Sequence, residues 1–112
     1  MTDCLFCKII DGDIPADKLY EDESVLAFQD INAQAPEHFL VIPKVHISTP
    51  NDTDSAKLMG QLSLTATKIA KERGFAENGY RLVMNCNGDG AQSVFHIHLH
   101  CLGGRQMTWP PG

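Results

Sequence analysis

The sequence predicts an α+β fold, in which an antiparallel sheet of about five strands carries two helices on one face. The prediction rests on two observations. A stretch in the middle of the chain repeats its apolar residues at helical spacing, and several short apolar runs with strand character are separated by turn residues. The length of 112 residues suits one hydrophobic core, so we predict a single domain over residues 1–112.

The N-terminal part of the chain predicts a short helix and three strands. The helix covers residues 4–10, because its apolar residues precede an Asp-Gly-Asp turn. Strands are predicted over residues 18–21 and 24–28, on either side of an acidic turn. The strongly apolar strand 38–42 ends at Pro43, since proline cannot donate a hydrogen bond to a strand ladder.

The second helix has the clearest pattern in the sequence. Thr53 or Asp54 can cap its N-terminus, and Gly74 fits the position just beyond its C-terminus. Its apolar face is formed by Leu58, Leu62, Ala66, Ile69 and Ala70. Two further strands follow, over residues 80–85 and 93–102, separated by a glycine-containing turn at 87–92.

Composition excludes several functional classes. The net charge of −5 argues against binding a nucleic-acid polymer, because a phosphate backbone requires a basic surface. The sequence has no apolar run of about 18 residues that could span a membrane. The N-terminus is acidic and shows no secretory signal, so the four cysteines predict reduced thiols and a cytoplasmic protein.

The most unusual stretch is HIHLHCL at residues 96–102. On a strand, His96, His98 and His100 would share one face, with neighbouring side chains roughly 6.5 to 7 Å apart. A purification tag is excluded, because tag histidines are consecutive and terminal. Three interpretations stay open: a metal site, a solvated face that happens to be rich in histidine, and catalysis with an imidazole nucleophile.

The HIHLHCL stretch resembles the His-φ-His-φ-His-φ-φ signature of the histidine triad (HIT) superfamily, where φ is an apolar residue. The similarity is strongest to the Hint branch, the histidine triad nucleotide-binding proteins. It extends to residues 6–10, 14–16, 34–36, 38–44, 92–94, 103–107 and 109–112. The nucleotidyl transferases of the superfamily carry glutamine at the last triad position, whereas His100 keeps the hydrolase pattern. The diadenosine-polyphosphate hydrolases are the nearer alternative.

The resemblance implies hydrolysis of purine nucleoside 5′-phosphoramidates, releasing an amine and AMP or GMP, with no cofactor required for the chemistry. His98 would attack the α-phosphorus and form a nucleotidyl-histidine intermediate, which water then resolves. His100 would contact the phosphate and help protonate the amine. His96 would be structural, offering its carbonyl to the Nδ1–H of His98, and His38 would hydrogen-bond into the triad. Ser93 would lie near the leaving group.

The resemblance also implies a nucleotide pocket. Asn85 and the backbone N–H groups of residues 90–94, which include Gln92 and Val94, would hold the phosphate oxygens. Asp30 would bind the ribose hydroxyls, although a turn residue is an equal reading of this position. The base would be held by Phe6, Ile9, Ile14, Phe28 and Ile31, which without the resemblance would be read as core residues.

A pair of cysteines, Cys4 and Cys7, departs from many Hint proteins. Some superfamily members with this pair bind zinc through it and two histidines, here His46 and His96, so a structural zinc is one expectation. Two cysteines alone do not complete a tetrahedral site. The alternative is that both are small apolar residues on one helix face. A redox pair is less well supported, because the βαβ context is missing.

The Hint relatives are homodimers in which the two sheets join and the C-terminal segment approaches the partner's site, so we expect a homodimer. Trp109 fits an interface, or packs back onto its own chain. Two other functions stay open. One is a purine-nucleotide-binding or partner-binding regulatory protein whose hydrolysis is incidental, and the other is a zinc-dependent structural module.

Overall fold

The computed structural model describes residues 3–112. Met1 and Thr2, which belong to the predicted acidic N-terminus and to the predicted domain, lie outside the described residues. The elements in chain order are α1 (Leu5–Ile10), β1 (Lys18–Glu21), β2 (Val25–Gln29), β3 (Glu37–Pro43), a 3₁₀ turn (Pro50–Asp52), α2 (Ala56–Glu72), β4 (Tyr80–Val83) and β5 (Leu99–Gly103). This confirms the predicted α+β class with two α-helices.

The five strands form one antiparallel sheet in the order β1-β2-β3-β5-β4. The central strand β3 pairs with β2 on one side and with β5 on the other. The register places Leu40 of β3 opposite His100 of β5. The last triad residue, His100, therefore lies beside the central strand of the sheet.

The helices pack on opposite faces of the sheet, so the predicted placement of both on one face is wrong. In β2, Val25 and Ala27 face the core beneath α2, whereas Leu26 and Phe28 face the core beneath α1. Both faces are covered because β2 and β3 are continuous apolar runs, and such runs are typical of strands buried on both sides. The α1 face is the one that the histidines share.

Strand β5 is shorter than predicted. The sequence predicts a strand over 93–102, but the ladder covers only Leu99–Gly103. His100 therefore lies on a strand, while His96 and His98 lie in the segment before it, where the chain bends at residues 94–96. The side chains still alternate between the two faces along this segment, because Ile97, Leu99 and Cys101 all lie in the core beneath α2.

The ladder stops for a physical reason. Val41 pairs with Leu99, and the partner strand ends at Pro43, whose nitrogen cannot donate a hydrogen bond. The backbone N–H of Ile97 instead donates to the carbonyl oxygen of Ile47 at 2.8 Å. Both triad residues that precede β5 are thus fixed by contacts outside the sheet ladder.

Helix α2 begins one or two residues later than predicted. Ser55 caps it by accepting the N–H of Leu58 at 3.1 Å, and neither Thr53 nor Asp54 is the cap. A 3₁₀ turn that was not predicted, Pro50–Asp52, lies a few residues before the helix. The predicted end is confirmed, since Gly74 follows the helix with φ of +87°. No helix in the described part of the chain is long and apolar enough to cross a membrane.

We expect the buried face of α2 to contribute much more to the free energy of unfolding than its exposed face. Leu62 is fully buried, whereas Leu64 on the same helix is 72% exposed. Leu62→Ala should lower the free energy of unfolding by about 2–5 kcal/mol, because it leaves a cavity. Leu64→Ala should change it by less than about 0.5 kcal/mol. Urea unfolding of both variants measures this, and equal losses would contradict the packing described.

Candidate active site

A cavity of about 230 Å³ opens on the α1 face of the sheet. It lies between α1, the segment after it, the end of β2 and the segment that leads into β5. Most of the predicted pocket residues meet there. They are Phe6, Ile9, Ile14, Phe28, Asp30, Ile31, Ser93, Val94, His98 and His100. The wall is largely apolar, and among its polar residues the carboxylate of Asp30 lies 3.9 Å from the ring of His100.

The sequence did not single out every lining residue. Leu5, Pro15, Ala16, Gln29 and Leu40 also line the cavity. Leu40 could have been predicted from the sequence, because side chains alternate along a strand and those of His38 and Leu40 therefore share one face. Ile31 contradicts a core interpretation, since its side chain is fully exposed at the cavity mouth. An exposed isoleucine beside an apolar cavity fits contact with a ligand better than a place in the core.

His98 is held in one tautomer. Its Nδ1–H donates to the carbonyl oxygen of His96 at 2.9 Å, which is the contact expected from the resemblance. The lone pair is therefore on Nε2, and His98 lines the cavity. The ring of Phe6 packs edge to face against the ring of His98, and the two ring centroids are 5.1 Å apart. Burial lowers the pKa of His98, although the bond to His96 and the charge of Asp30 oppose the shift, so the ring is neutral near pH 7.

A chain of hydrogen bonds fixes the proton of His100. The backbone N–H of Gln34 donates to His38 Nδ1 at 2.9 Å, so the proton of His38 is on Nε2. That Nε2–H donates to Nδ1 of His100 at 2.9 Å. The remaining proton of His100 is therefore on Nε2. Burial, with the nearby rings of His98 and His38, lowers the pKa of His100 to about 4.

Asp30 lies where it can serve both the histidines and a ligand. Its Oδ1 accepts the backbone N–H of Asn32 at 2.8 Å, which is the turn contact that its position predicts. Its Oδ2 lies 3.3 Å from Nε2 of His38 and 3.9 Å from Nδ1 of His100. Because it also lines the cavity, its carboxylate is open to a hydroxyl of a ligand.

Two predicted phosphate-binding residues do not line the cavity. Asn85 lies beyond the end of β4. The side chain of Gln92 is buried, and its amide is used by the backbone. It accepts the N–H of Asn87 at 2.9 Å and donates to the carbonyl oxygens of Ser48 and Val94 at 2.7 and 3.1 Å. Gln92 thus shapes the loop that carries Ser93 and Val94.

The predicted backbone donors are also partly used within the loop. The N–H groups of Ala91 and Gln92 donate to the carbonyl oxygens of Gly88 and Asn87, each at 3.0 Å. Gly90, Ser93 and Val94 are then the candidate donors to a phosphate. Gly90 is required by close packing, because a Cβ at this position would lie 2.7 Å from the carbonyl oxygen of Cys86.

Cys4, Cys7, His46 and His96 form a compact group, and their potential ligand atoms all lie within 4.8 Å of one another. The Nδ1 atoms of His46 and His96 are 3.2 Å apart. Cys7 Sγ lies 3.3 Å from His46 Nδ1 and 3.5 Å from His96 Nδ1, and Cys4 Sγ lies 3.4 Å from His96 Nδ1. We call these four residues the Cys₂His₂ group.

The Cys₂His₂ group fits a tetrahedral metal ion. Usual zinc bond lengths place two nitrogen ligands about 3.3 Å apart, and a sulfur and a nitrogen about 3.6 Å apart. The observed separations agree to within a few tenths of an ångström. His96 has the right tautomer, because its Nε2–H donates to the carbonyl oxygen of Pro43 at 2.8 Å and leaves the Nδ1 lone pair facing the cysteines.

The group formed by Asp30, His38 and His100 also has ligand atoms close together, but it does not fit a metal ion. His38 accepts the Gln34 N–H at Nδ1, so its Nε2, the atom nearest the other two residues, carries a proton. A metal at Nε2 would break this bond. The group is therefore a path of hydrogen bonds, and the metal interpretation of the triad face applies only to His96.

Comparisons with known proteins agree with this arrangement. The HIT domain family model matches residues 11–107. A purine nucleoside phosphoramidase from Escherichia coli is 49% identical over 92% of this chain and 88% of that protein. A 14 kDa zinc-binding protein from Zea mays is 50% identical over 96% of this chain and 87% of its own length.

Solved structures show the same fold. A HIT family hydrolase from Legionella pneumophila superposes with a TM-score of 0.95 at 55% identity, covering 98% of this chain and all of that one. A histidine triad protein from Clostridium difficile gives a TM-score of 0.93 at 44% identity, with 96% of each chain covered. With the HIHLHCL signature and the family match together, the chain belongs to the HIT domain family.

Proposed function

We propose that this protein hydrolyses the P–N bond of purine nucleoside 5′-phosphoramidates. The observation that carries the proposal is the fixed tautomer of His98, which leaves a neutral nucleophilic nitrogen, Nε2, on a residue that lines an apolar cavity. The phosphoramidase activity of the Escherichia coli relative supports the same reaction class.

In the proposed mechanism, Nε2 of His98 attacks the α-phosphorus. The P–N bond breaks, and the departing nitrogen takes a proton from Nε2 of His100. The anionic phosphate beside His100 favours its protonated form, which offsets the effect of burial on its pKa. Protonated His100 carries a proton on each ring nitrogen, so it is neutral after it gives up the proton on Nε2. The Nε2–H of His38 is then directed to Oδ2 of Asp30, 3.3 Å away.

The second step returns the enzyme to its first state. Water attacks the phosphorus of the nucleotidyl-His98 intermediate, the bond between phosphorus and Nε2 breaks, and the nucleoside monophosphate leaves. His100, now lacking its proton, accepts one from the attacking water. The carbonyl of His96 holds the Nδ1–H of His98 throughout, so the imidazolium formed in the intermediate stays hydrogen-bonded.

We further propose how the nucleotide lies in the cavity. The purine occupies the apolar end, between the α1 side chains and Ile31 at the mouth. Asp30 accepts hydrogen bonds from the ribose hydroxyls, while Gly90, Ser93 and Val94 donate backbone N–H groups to the phosphate. Ser93 places its hydroxyl near the amine. Asn85 does not line the cavity, and its contact with the phosphate stays a prediction.

We also propose that the Cys₂His₂ group binds zinc, which would provide structural stability to the N-terminal helix. The fit of the four ligand atoms and the tautomer of His96 support this. Burial raises the pKa of Cys7 to about 11, which makes a reactive redox thiol less favourable. In the described part of the chain no cysteine forms a disulfide bond, which supports the proposed cytoplasmic location.

A homodimer is a further proposal. Strand β4 is at the edge of the sheet, where its outer backbone groups can pair with a second copy. Trp109 is 82% exposed, so packing against its own chain does not account for it. An exposed tryptophan on a proline-containing segment fits an interface between copies.

We expect His98→Ala to lower the release of AMP from an adenosine 5′-phosphoramidate by more than about 10³-fold, because the nucleophile is lost. AMP should still bind, since the walls of the cavity are unchanged. Turnover and calorimetric binding of AMP measure the two effects. Turnover like that of the wild type would remove His98 as nucleophile. AMP binding by a wild type without turnover would favour the regulatory binding protein.

We expect Asp30→Ala to weaken AMP binding by about 10- to 100-fold, the value of hydrogen bonds to a charged group. The loss should be specific to the ribose. In the wild type, 2′,3′-dideoxy-AMP should bind more weakly than AMP, whereas the variant should bind both alike. An undiminished preference for the hydroxyls in the variant would reject the ribose role and leave Asp30 as a partner of His38.

Protein purified without a histidine tag should contain one zinc per chain, measured by mass spectrometry of the metal. Cys7→Ser should lose the metal, because it replaces a thiolate ligand. The control is Cys86→Ser, which changes a free cysteine outside the Cys₂His₂ group and should keep its zinc. A wild type without stoichiometric metal would contradict the zinc proposal.

A further inference from the structure

Helix α1 contributes to the Cys₂His₂ group and to the cavity wall at the same time. Cys4 caps the helix and Cys7 lies in its first turn, and both belong to the group. The cavity is lined by Leu5 and Phe6, which lie between the two cysteines, and by Ile9, which follows them. A movement of this helix would therefore alter the metal ligands and the nucleoside wall together.

Helix α1 depends on contacts with the rest of the chain. It has six residues, and helices below about 12 residues are marginal in isolation. Phe6 and Ile9 pack into the core on this face. The thiols of Cys4 and Cys7 join the helix to His96, which itself is bonded to the last residue of β3. The metal ligands are thus polar ties between α1 and the sheet.

The ring of Phe6 connects the two sites directly. Its centroid lies 5.9 Å from the ring of His96, 5.1 Å from that of His98 and 5.5 Å from that of Phe28. These residues are a metal ligand, the nucleophile and part of the purine wall. Because Phe6 stands between the two cysteines in sequence, its position is set by how they are held.

We propose that Cys4 and Cys7 are positioning residues for the nucleotide. Closing the Cys₂His₂ group around a metal ion fixes α1 where Leu5, Phe6 and Ile9 form the purine wall, and opening the group loosens that wall. Metal occupancy therefore sets nucleotide affinity. The inference rests on the proposed nucleotide function and on the proposed zinc site, and it goes beyond both by linking them.

Linkage between two binding sites must be reciprocal. If zinc tightens AMP binding by some factor, AMP must tighten zinc binding by the same factor. We expect a factor of about 5 to 150, the range of typical couplings between sites. A purely structural zinc, one that stabilises the fold without fixing the wall, would leave the affinity for AMP unchanged in the folded protein.

The experiment compares the zinc-loaded wild type with the same protein after removal of zinc by a chelator, at a temperature where circular dichroism shows that both are folded. Calorimetry gives the AMP affinity of each, and competition with a chromophoric chelator gives the zinc affinity with and without AMP. Hydrogen exchange reports on the Asp11 N–H, which is bonded to the Cys7 carbonyl at the end of α1. Exchange there should quicken when zinc is removed.

Three variants keep the test specific. Cys7→Ser should bind AMP as weakly as the zinc-free wild type, whereas Cys86→Ser should bind it normally. Phe6→Leu should weaken AMP binding when zinc is present. Removing zinc from this variant should then lower the AMP affinity by a smaller factor than in the wild type, because the ring that contacts both sites is absent.

The outcomes separate the claims. Equal AMP affinity with and without zinc overturns the inference and leaves both proposed sites in place. A loaded protein that does not bind AMP overturns it together with the proposed function, and a protein that binds no zinc overturns it together with the metal site. Weaker AMP binding, faster exchange in α1 and a matching change in zinc affinity would support it.

Discussion

The arrangement of the candidate active site depends on one hydrogen bond, from Nδ1 of His98 to the carbonyl oxygen of His96. The bond selects the tautomer whose free nitrogen is nucleophilic, and it does so with a backbone atom whose position is fixed. The side chain of the same His96 is held by Pro43 at one nitrogen and faces two cysteines with the other. A single residue therefore orients the proposed nucleophile through its main chain and completes the Cys₂His₂ group through its side chain.

The fold was largely predictable because its signals are local. Helical spacing and the glycine at the C-terminus defined α2, and apolar runs bounded by turns defined the strands. The errors arose where distant parts of the chain decide the structure. Pro43 ends the ladder opposite the triad, so His96 and His98 are not on a strand although their alternation suggests one. The placement of α1 opposite α2 follows from burial on both faces of β2 and β3, which periodicity alone does not reveal.

The candidate site was predictable to the extent that residue type and family signature identify it. Both cavity-facing triad histidines, Asp30, Ser93 and the apolar wall meet as expected. The part that the Gln92 side chain plays in its loop was not predicted, because the backbone groups that its buried amide meets are brought to it by the fold. The tautomers of His38 and His96, which separate a hydrogen-bond path from a metal-binding group, depend on backbone partners far away in sequence. No sequence pattern indicates which tautomer these two histidines adopt.

Burial of β2 and β3 on both faces also bears on how such a chain can diverge. Nearly every side chain of these strands is packed on one side or the other, so most substitutions there cost folding energy before they change recognition. The connection between β4 and β5 contributes Ser93 and Val94 to the cavity lining, and neither side chain is fully buried. Substitutions in this connection can therefore alter the cavity at a smaller cost in folding energy than substitutions in the central strands.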